Sequence, residues 1–269
     1  MDPKKADEIR QTVRRVYGGI AQRASTGCGC SPAPSCCGEP AVSPESQLST
    51  RLGYSEEELA SVPEGADMGL GCGNPQTIAA LKPGETVLDL GSGGGFDCFL
   101  AARRVAPSGR VIGVDMTPEM VAKARENARK MGYRNVEFRL GEIEHLPVAD
   151  GTADVIISNC VINLSPDKFS VYREAFRALK PGGRLAISDV ALIAPLPKEL
   201  SNDPLLLSGC VSGAARIADL ENMIRAAGFE EVQVQAKAES REVIKKWAPG
   251  RNLENYITSA TIEAVKPIQ

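Results

Sequence analysis

Val87-Leu88-Asp89-Leu90-Gly91-Ser92-Gly93-Gly94-Gly95-Phe96-Asp97 reads as a buried strand that runs into a glycine-rich turn and then a helix start. Working outward, Thr86–Leu90 is the first strand and Phe96–Val105 a helix. Arg110–Asp115 is a second strand. Thr117-Pro118-Glu119 then supplies an N-cap, an N1 proline and an early acid, and Gly132 supplies the stop. Val136–Leu140 and Asp154–Ser158 follow as strands, and a helix capped at Ser165-Pro166 runs to Leu179. Lys180-Pro181-Gly182-Gly183 turns into a fifth strand, Arg184–Ser188. Alternating strands and helices of this length specify a doubly wound, mostly parallel α/β sheet with helices on both faces.

The flanks are different. Ile9, Val13, Val16 and Ile20 mark one face of an N-terminal helix, read as an arm across the main domain. Cys28, Cys30, Cys36 and Cys37 then fall in a Gly/Pro-rich loop, and Ser55-Glu56-Glu57-Glu58 has the form of a capping box. Beyond residue 190, Leu200–Leu207 and Ala218–Ala227 read as helices. Glu231–Ala236 and Tyr256–Val265 read as strands, added to the sheet edge or forming a small sheet of their own. The expected divisions are an N-terminal helical, Cys-rich arm (1–68), a core (69–190) and a smaller α+β C-terminal lobe (191–269).

The balance of 31 basic and 34 acidic residues, with 4% aromatics, argues against nucleic acid as a partner. No apolar run of spanning length occurs, so no membrane is expected and a cytoplasmic location is the default. There, eight cysteines are more readily ligands or redox groups than disulfides. With one histidine, His145, a mechanism needing a pair of them is excluded.

Gly91, Gly93 and Gly95 between a strand and a helix let a ligand approach the backbone closely. Asp115, at the end of the next strand, is placed to bind ribose hydroxyls. Phe96 stands where a dinucleotide fingerprint would carry its third glycine, and Glu142-Ile143 offers a polar and apolar pair for an adenine edge. With Leu179-Lys180-Pro181-Gly182-Gly183, this set resembles the class I S-adenosylmethionine-dependent methyltransferases over about residues 75–190. The resemblance implies a Rossmann-like sheet and S-adenosylmethionine as methyl donor. Gly91, Gly93 and Gly95 would line its methionine moiety, Asp115 would take its ribose, Met116, Glu142 and Ile143 would meet its adenine, and Asp89, Ser92 and Asn159 would be further cofactor-binding residues.

Cysteines stand where an acceptor-activating base would be sought. Cys160 follows the fourth strand at the carboxyl edge of the sheet, Cys72 lies in Gly69-Leu70-Gly71-Cys72-Gly73-Asn74-Pro75, and Cys210 follows the fifth strand. Cys98, inside the first helix of the core, reads as a buried small hydrophobe. Three separated thiols suit a soft, thiophilic ion. GLGCGNP (69–75), DLGSGGGFDC (89–98), SNCVINLSPDK (158–168) and Cys210-Val211-Ser212-Gly213 together resemble the arsenite S-adenosylmethionine methyltransferases across nearly the whole chain. That resemblance implies As(III) on Cys72, Cys160 and Cys210, and a turnover disulfide involving Cys37. It also implies delivery of As(III) as a thiol complex, such as that of glutathione, reduction by thioredoxin or another thiol reductant, and no tightly bound metal cofactor. On the residues alone, methylation of a small organic acceptor such as a quinone, non-catalytic metalloid binding, and a zinc-stabilised methyltransferase remain open.

Overall fold

The computed structural model describes residues 2–23, 44–201, 203, 206 and 210–268. The cysteine-rich segment, with Cys28, Cys30, Cys36 and Cys37, lies outside them. In chain order the helices are α1 (Pro3–Arg23), α2 (Pro44–Arg51), α3 (Glu56–Ala60), α4 (Gln76–Ala79), α5 (Phe96–Val105), α6 (Pro118–Lys130), α7 (Lys168–Ala178), α8 (Lys198–Ser201), α9 (Ile217–Ala226) and α10 (Arg241–Ile244). The strands are β1 (Thr86–Leu90), β2 (Arg110–Asp115), β3 (Val136–Leu140), β4 (Ala153–Asn159), β5 (Leu179–Leu192), β6 (Ala215–Arg216), β7 (Glu230–Lys237) and β8 (Ile257–Val265).

Among the described residues one sheet runs β3-β2-β1-β4-β5-β8-β7, with β6 beside β5. β1 to β5 are parallel, and β8 and β7 join antiparallel at the end. The C-terminal strands thus continue the core sheet, the first of the two arrangements open from the sequence. Strand order reverses between β1 and β4, so the carboxyl ends of these strands open a crevice there. That crevice is the site.

The alternation along each strand divides the core between the two faces. Leu88 and Leu90 of β1, with Ile112 and Ile156, pack under Tyr172 of α7 and Leu220 and Ile224 of α9. Val87, Val111, Val155 and Ile157 point the other way, against Phe99 of α5 and Val121 and Ala124 of α6. All five residues of β1 are buried, as a strand covered on both faces requires.

Local chemistry explains where elements begin. Ser55 caps α3 with a complete capping box to Glu58, as read from the sequence. Thr117 stands at the N-cap of α6, but its hydroxyl makes no capping bond; Asp115 Oδ1 accepts its N–H instead. The cap of α7 is Asp167, which accepts from Ser170 N, and not Ser165, whose hydroxyl donates to Glu144. β5 is longer than expected because β8 pairs with it from Arg184 to Leu192. The Lys180–Gly183 turn survives as a register shift within it, with Gly182 at φ +76°. α1 forms as expected, but only Val13 of its predicted stripe is fully buried.

The glycine turn is sterically demanding. Gly95 has φ +92°, and a Cβ there would sit 2.7 Å from Phe99 and Phe138 ring atoms. Gly95→Ala is expected to cost about 2–3 kcal/mol in urea unfolding. At Gly132, where φ is +70°, a Cβ would meet no atom within 4 Å, and Gly132→Ala is expected to cost only about 1 kcal/mol.

Candidate active site

A cleft of about 990 Å³, including its open mouth, lies over the carboxyl ends of β1, β2 and β4. Gly91, Gly93 and Gly94 of the glycine turn line it, whereas Gly95 does not and packs on Phe99 and Phe138. Gly91, Gly93 and Gly95 all have positive φ, and a Cβ on Gly91 would collide with Val161. Asp115 Oδ2 accepts the Gly93 N–H at 3.0 Å, so the carboxylate expected to bind a ribose pins the turn. Met116 and Ile143 line the cleft, with Asp89, Ser92 and Asn159. Ser92 Oγ is buried with no hydrogen-bond partner among the described residues, a polar atom suited to a polar ligand. Glu142 lies elsewhere. It forms ion pairs with Arg10 and Arg14 of α1, at 3.3 and 2.6 Å, and is not among the lining residues, whereas its neighbours Ile143 and Glu144 are.

Asp89 and Asp97 are buried and both line the cleft. Burial, followed by the charge of Asp97, pushes the Asp89 carboxyl well above its usual range, and burial also raises Asp97. Cys98 is fully buried, as expected, but it also donates to Asp89 Oδ2 at 3.1 Å. Among the described residues no cationic side chain bonds to these two carboxyl groups, which fits a ligand that carries an ammonium or sulfonium charge.

The cysteines come together on the other side of the cleft. Cys72, Cys160 and Cys210 are buried and free, and pack in one cluster with Val13 of α1. Sγ of Cys72, Sγ of Cys160 and a carboxylate oxygen of Asp189 lie within 4.8 Å of one another. Cys210 Sγ donates to the Cys160 carbonyl at 2.7 Å, and the two thiols interact directly. Cys160 and Cys210 both occupy the left-handed region, at φ +59° and +62°. Each such residue costs on the order of 1 kcal/mol or more, and such strain tends to collect at functional sites. The Cys160 N–H bond to Ser188 O, 2.8 Å, fixes the turn that makes this possible.

Burial pushes the Cys72 thiol up to about 11. Cys210 is raised by its contact with Cys160 and then by burial. For Cys160 the Cys210 contact pulls down, but the Cys72 contact and burial outweigh it. The resting cluster is therefore three protonated thiols.

Asn159 joins the two halves. Its Oδ1 accepts the Cys72 N–H at 3.0 Å, and its Nδ2 donates to Gly73 O, Tyr54 Oη and Asp97 Oδ2 at 2.9, 3.0 and 3.2 Å. The residue expected to contact a cofactor thus also clamps the cysteine loop. From β8, Ser259 Oγ donates to the Cys72 carbonyl at 2.8 Å. Asp97, Arg10 and Tyr17, which line the cleft, and Tyr54 and Asp189, which do not but hold its Asn159 and thiol edges, carry no assignment from the sequence. Asp189 had a signal: a lone acid at the carboxyl edge of a core strand, as Asp115 is.

Residues 81–228 match the family model described as a methyltransferase domain. The arsenite methyltransferase of Halobacterium salinarum is 54% identical over 97% of this chain and 67% of its own length. The chain belongs to the arsenite methyltransferase family. The arsenite methyltransferase of Aquipseudomonas alcaligenes is 42% identical over 83% of the chain, which spans 62% of that relative's length. The crystal structure of an arsenic(III) S-adenosylmethionine methyltransferase from Chlamydomonas reinhardtii superposes with a TM-score of 0.60 at 33% identity, covering 84% of this chain and 75% of that one. In this S-adenosylmethionine-dependent family the glycine turn, the buried acids and the orphan Ser92 hydroxyl are in keeping with the cofactor.

Two expectations follow. Asn159→Asp replaces the donor that faces Gly73 O and Asp97 with an acceptor, so the Cys72 loop should open; alkylation of Cys72, followed by peptide mass spectrometry, should accelerate at least about tenfold while Cys98 stays protected. The second concerns Asp89 and Asp97. Their raised folded-state values mean that the native state holds protons that the unfolded state has already lost. Stability without ligand therefore falls as pH rises from the ordinary carboxylate range through the raised values. A bound cation offsets this, so the rise in Tm on adding S-adenosylmethionine should be larger at pH 7.5 than at pH 5. Asp89→Asn should raise the ligand-free Tm and shrink the ligand's effect; an equal shift at both pH values would refute the assignment.

Proposed function

We propose that this protein methylates trivalent arsenic held by Cys72, Cys160 and Cys210, with S-adenosylmethionine as the methyl donor. The convergence of three buried thiols from three distant segments beside the cofactor cleft carries the reading. A histidine base is not needed, since the nucleophile is the arsenic lone pair. As(III) enters as a thiol complex such as that of glutathione, and each protein thiol passes its proton to the thiolate it displaces. The three sulfurs orient the metalloid, with its lone pair toward the cleft. S-adenosylmethionine, when bound, supplies an electrophilic methyl group. Forming the As–CH₃ bond breaks the S–CH₃ bond, leaves S-adenosylhomocysteine and raises arsenic formally to As(V). Two cysteine thiolates, with Cys37 as a candidate, return two electrons to arsenic and become a disulfide that thioredoxin or a similar thiol reductant reopens.

Family membership and the convergence of three free thiols favour this over an organic acceptor. The test is product speciation with methyl-labelled S-adenosylmethionine and arsenite–glutathione. Labelled methylarsenicals should form, and Cys72→Ser, Cys160→Ser and Cys210→Ser should each lower turnover by about a hundredfold or more. Tight arsenite binding without labelled product would make the protein a sequestering one. Unchanged rates in all three variants would reject the site.

A further inference from the structure

The donor atoms that lie closest in the thiol cluster are not three sulfurs. They are the sulfurs of Cys72 and Cys160 and an oxygen of Asp189, all buried and mutually within 4.8 Å. The geometry points to a second use of this cluster: binding a soft divalent cation of the zinc class through Cys72, Cys160 and Asp189, in competition with the trivalent metalloid.

Three observations support it. The first is size. A tetrahedral zinc site with Zn–S of about 2.3 Å and Zn–O of about 2.0–2.2 Å sets neighbouring donors about 3.5–3.8 Å apart, a small contraction from the present spacing. The second is that the carboxylate is already oriented. Asp189 Oδ1 accepts from Asn163 Nδ2 at 2.9 Å and from Val190 N at 2.7 Å, and Oδ2 accepts from Ile162 N at 2.9 Å. Oδ2 thus retains a lone pair, and these donors hold the group as outer partners hold a metal-binding carboxylate.

The third is charge. Lys168, half-buried on α7 with Nζ on Ser165 O at 3.3 Å, is the cation acting electrostatically on both Asp189 and Cys210. Two thiolates, one carboxylate and a divalent ion sum to one negative charge, which the Lys168 ammonium balances, with Cys210 still a thiol. As(III) on three thiolates is itself neutral and leaves Asp189 and Lys168 to balance each other. Both occupants satisfy the requirement that buried charge be paired, but through different donor sets. Loading the divalent ion expels two thiol protons to solvent and forms two metal–sulfur bonds and one metal–oxygen bond; no electron transfer is involved. Asp189 thereby becomes the residue that separates the two occupants, and Cys210 the residue that only the metalloid needs.

The test uses the full chain, reduced, with Cys28, Cys30, Cys36 and Cys37 replaced by Ser so that only the described thiols report. Cd²⁺ is titrated against a competing chelator and followed by its ultraviolet thiolate charge-transfer band. Arsenite binding is followed by the fluorescence of Trp247, the single tryptophan, which packs against the cluster. One Cd²⁺ should bind with the band intensity of two thiolates. Asp189→Asn should weaken Cd²⁺ at least about tenfold and leave arsenite affinity nearly unchanged. Cys210→Ser should do the reverse. Absence of Cd²⁺ binding, a three-thiolate band, or parallel losses of both ligands in Cys210→Ser would overturn the proposal. Because Asp189 also orders the 162–163 turn, S-adenosylmethionine binding checks that Asp189→Asn is folded, and the Cys210→Ser arm decides the question if it is not. Only the arsenite arms rest on the proposed function, so a failure of that reading would leave the Cd²⁺ result interpretable.

Discussion

The side-chain amide of Asn159 is the constraint on which the site depends. It sits one residue before Cys160 and binds the backbone on both sides of Cys72, like a strand partner, while its remaining donor capacity reaches Tyr54 and Asp97. A single planar group thereby sets two of the thiols relative to each other and relative to the glycine turn. Gly71 must be glycine for this to happen, since a Cβ there would stand 2.7 Å from Asn159 Nδ2. In the low-dielectric interior such a network is strong when every member is satisfied and costly when one is lost. Distances within the thiol cluster and between it and the cofactor cleft are therefore coupled.

Holding this arrangement opposes stability at several points. Two cysteines occupy left-handed backbone, two carboxylates are buried at the cleft, and the Ser92 and Ser188 hydroxyls find no partner among the described residues. Each costs on the order of 1 kcal/mol or more. The sheet compensates through β1, β4 and β5, strands buried on both faces and backed by two separate apolar clusters. The two left-handed cysteines stand at the carboxyl edge, where loops face the cleft. α1 closes that edge from outside through Val13 and Tyr17, and the ion pairs of Arg10 and Arg14 with Glu142 and Glu144 hold it there.

Much of this was legible in the sequence, for reasons that are local. The bounds of β1, β2, β3 and α5 fall where apolar runs meet glycine and proline, and these signals act within a few residues. Cys160 could be assigned to the ligand edge because it ends a recognisable strand, and Cys98 to the interior because it does not. What escaped was long-range. Glu142 looks like an adenine contact until two arginines 132 and 128 residues earlier take it, and Asn159 looks like a cofactor contact until a loop 87 residues away folds under it. Asp189 was passed over because β5 appeared to end at Ser188; pairing with β8 carries it four residues further. Residue type reveals what chemistry is available, and topology decides which partner receives it.

The protonated state of the thiols suits the proposed substrate better than thiolates would. Three buried thiolates would repel one another and lack countercharges, a state that the interior does not support. Exchange of three thiol ligands from an arsenic complex consumes the three cysteine protons and returns three free thiols, so no net charge enters or leaves the site. The high values imposed by burial slow the individual exchange steps, because the attacking species is the thiolate, but the net exchange stays neutral. A divalent ion has no such neutrality: two protons must depart, and the remaining charge must be met by Asp189 and Lys168. On the proposed function, a buried, protonated thiol cluster would favour a neutral, trivalent, thiol-exchanging substrate, and the carboxylate beside it would set how far that preference holds.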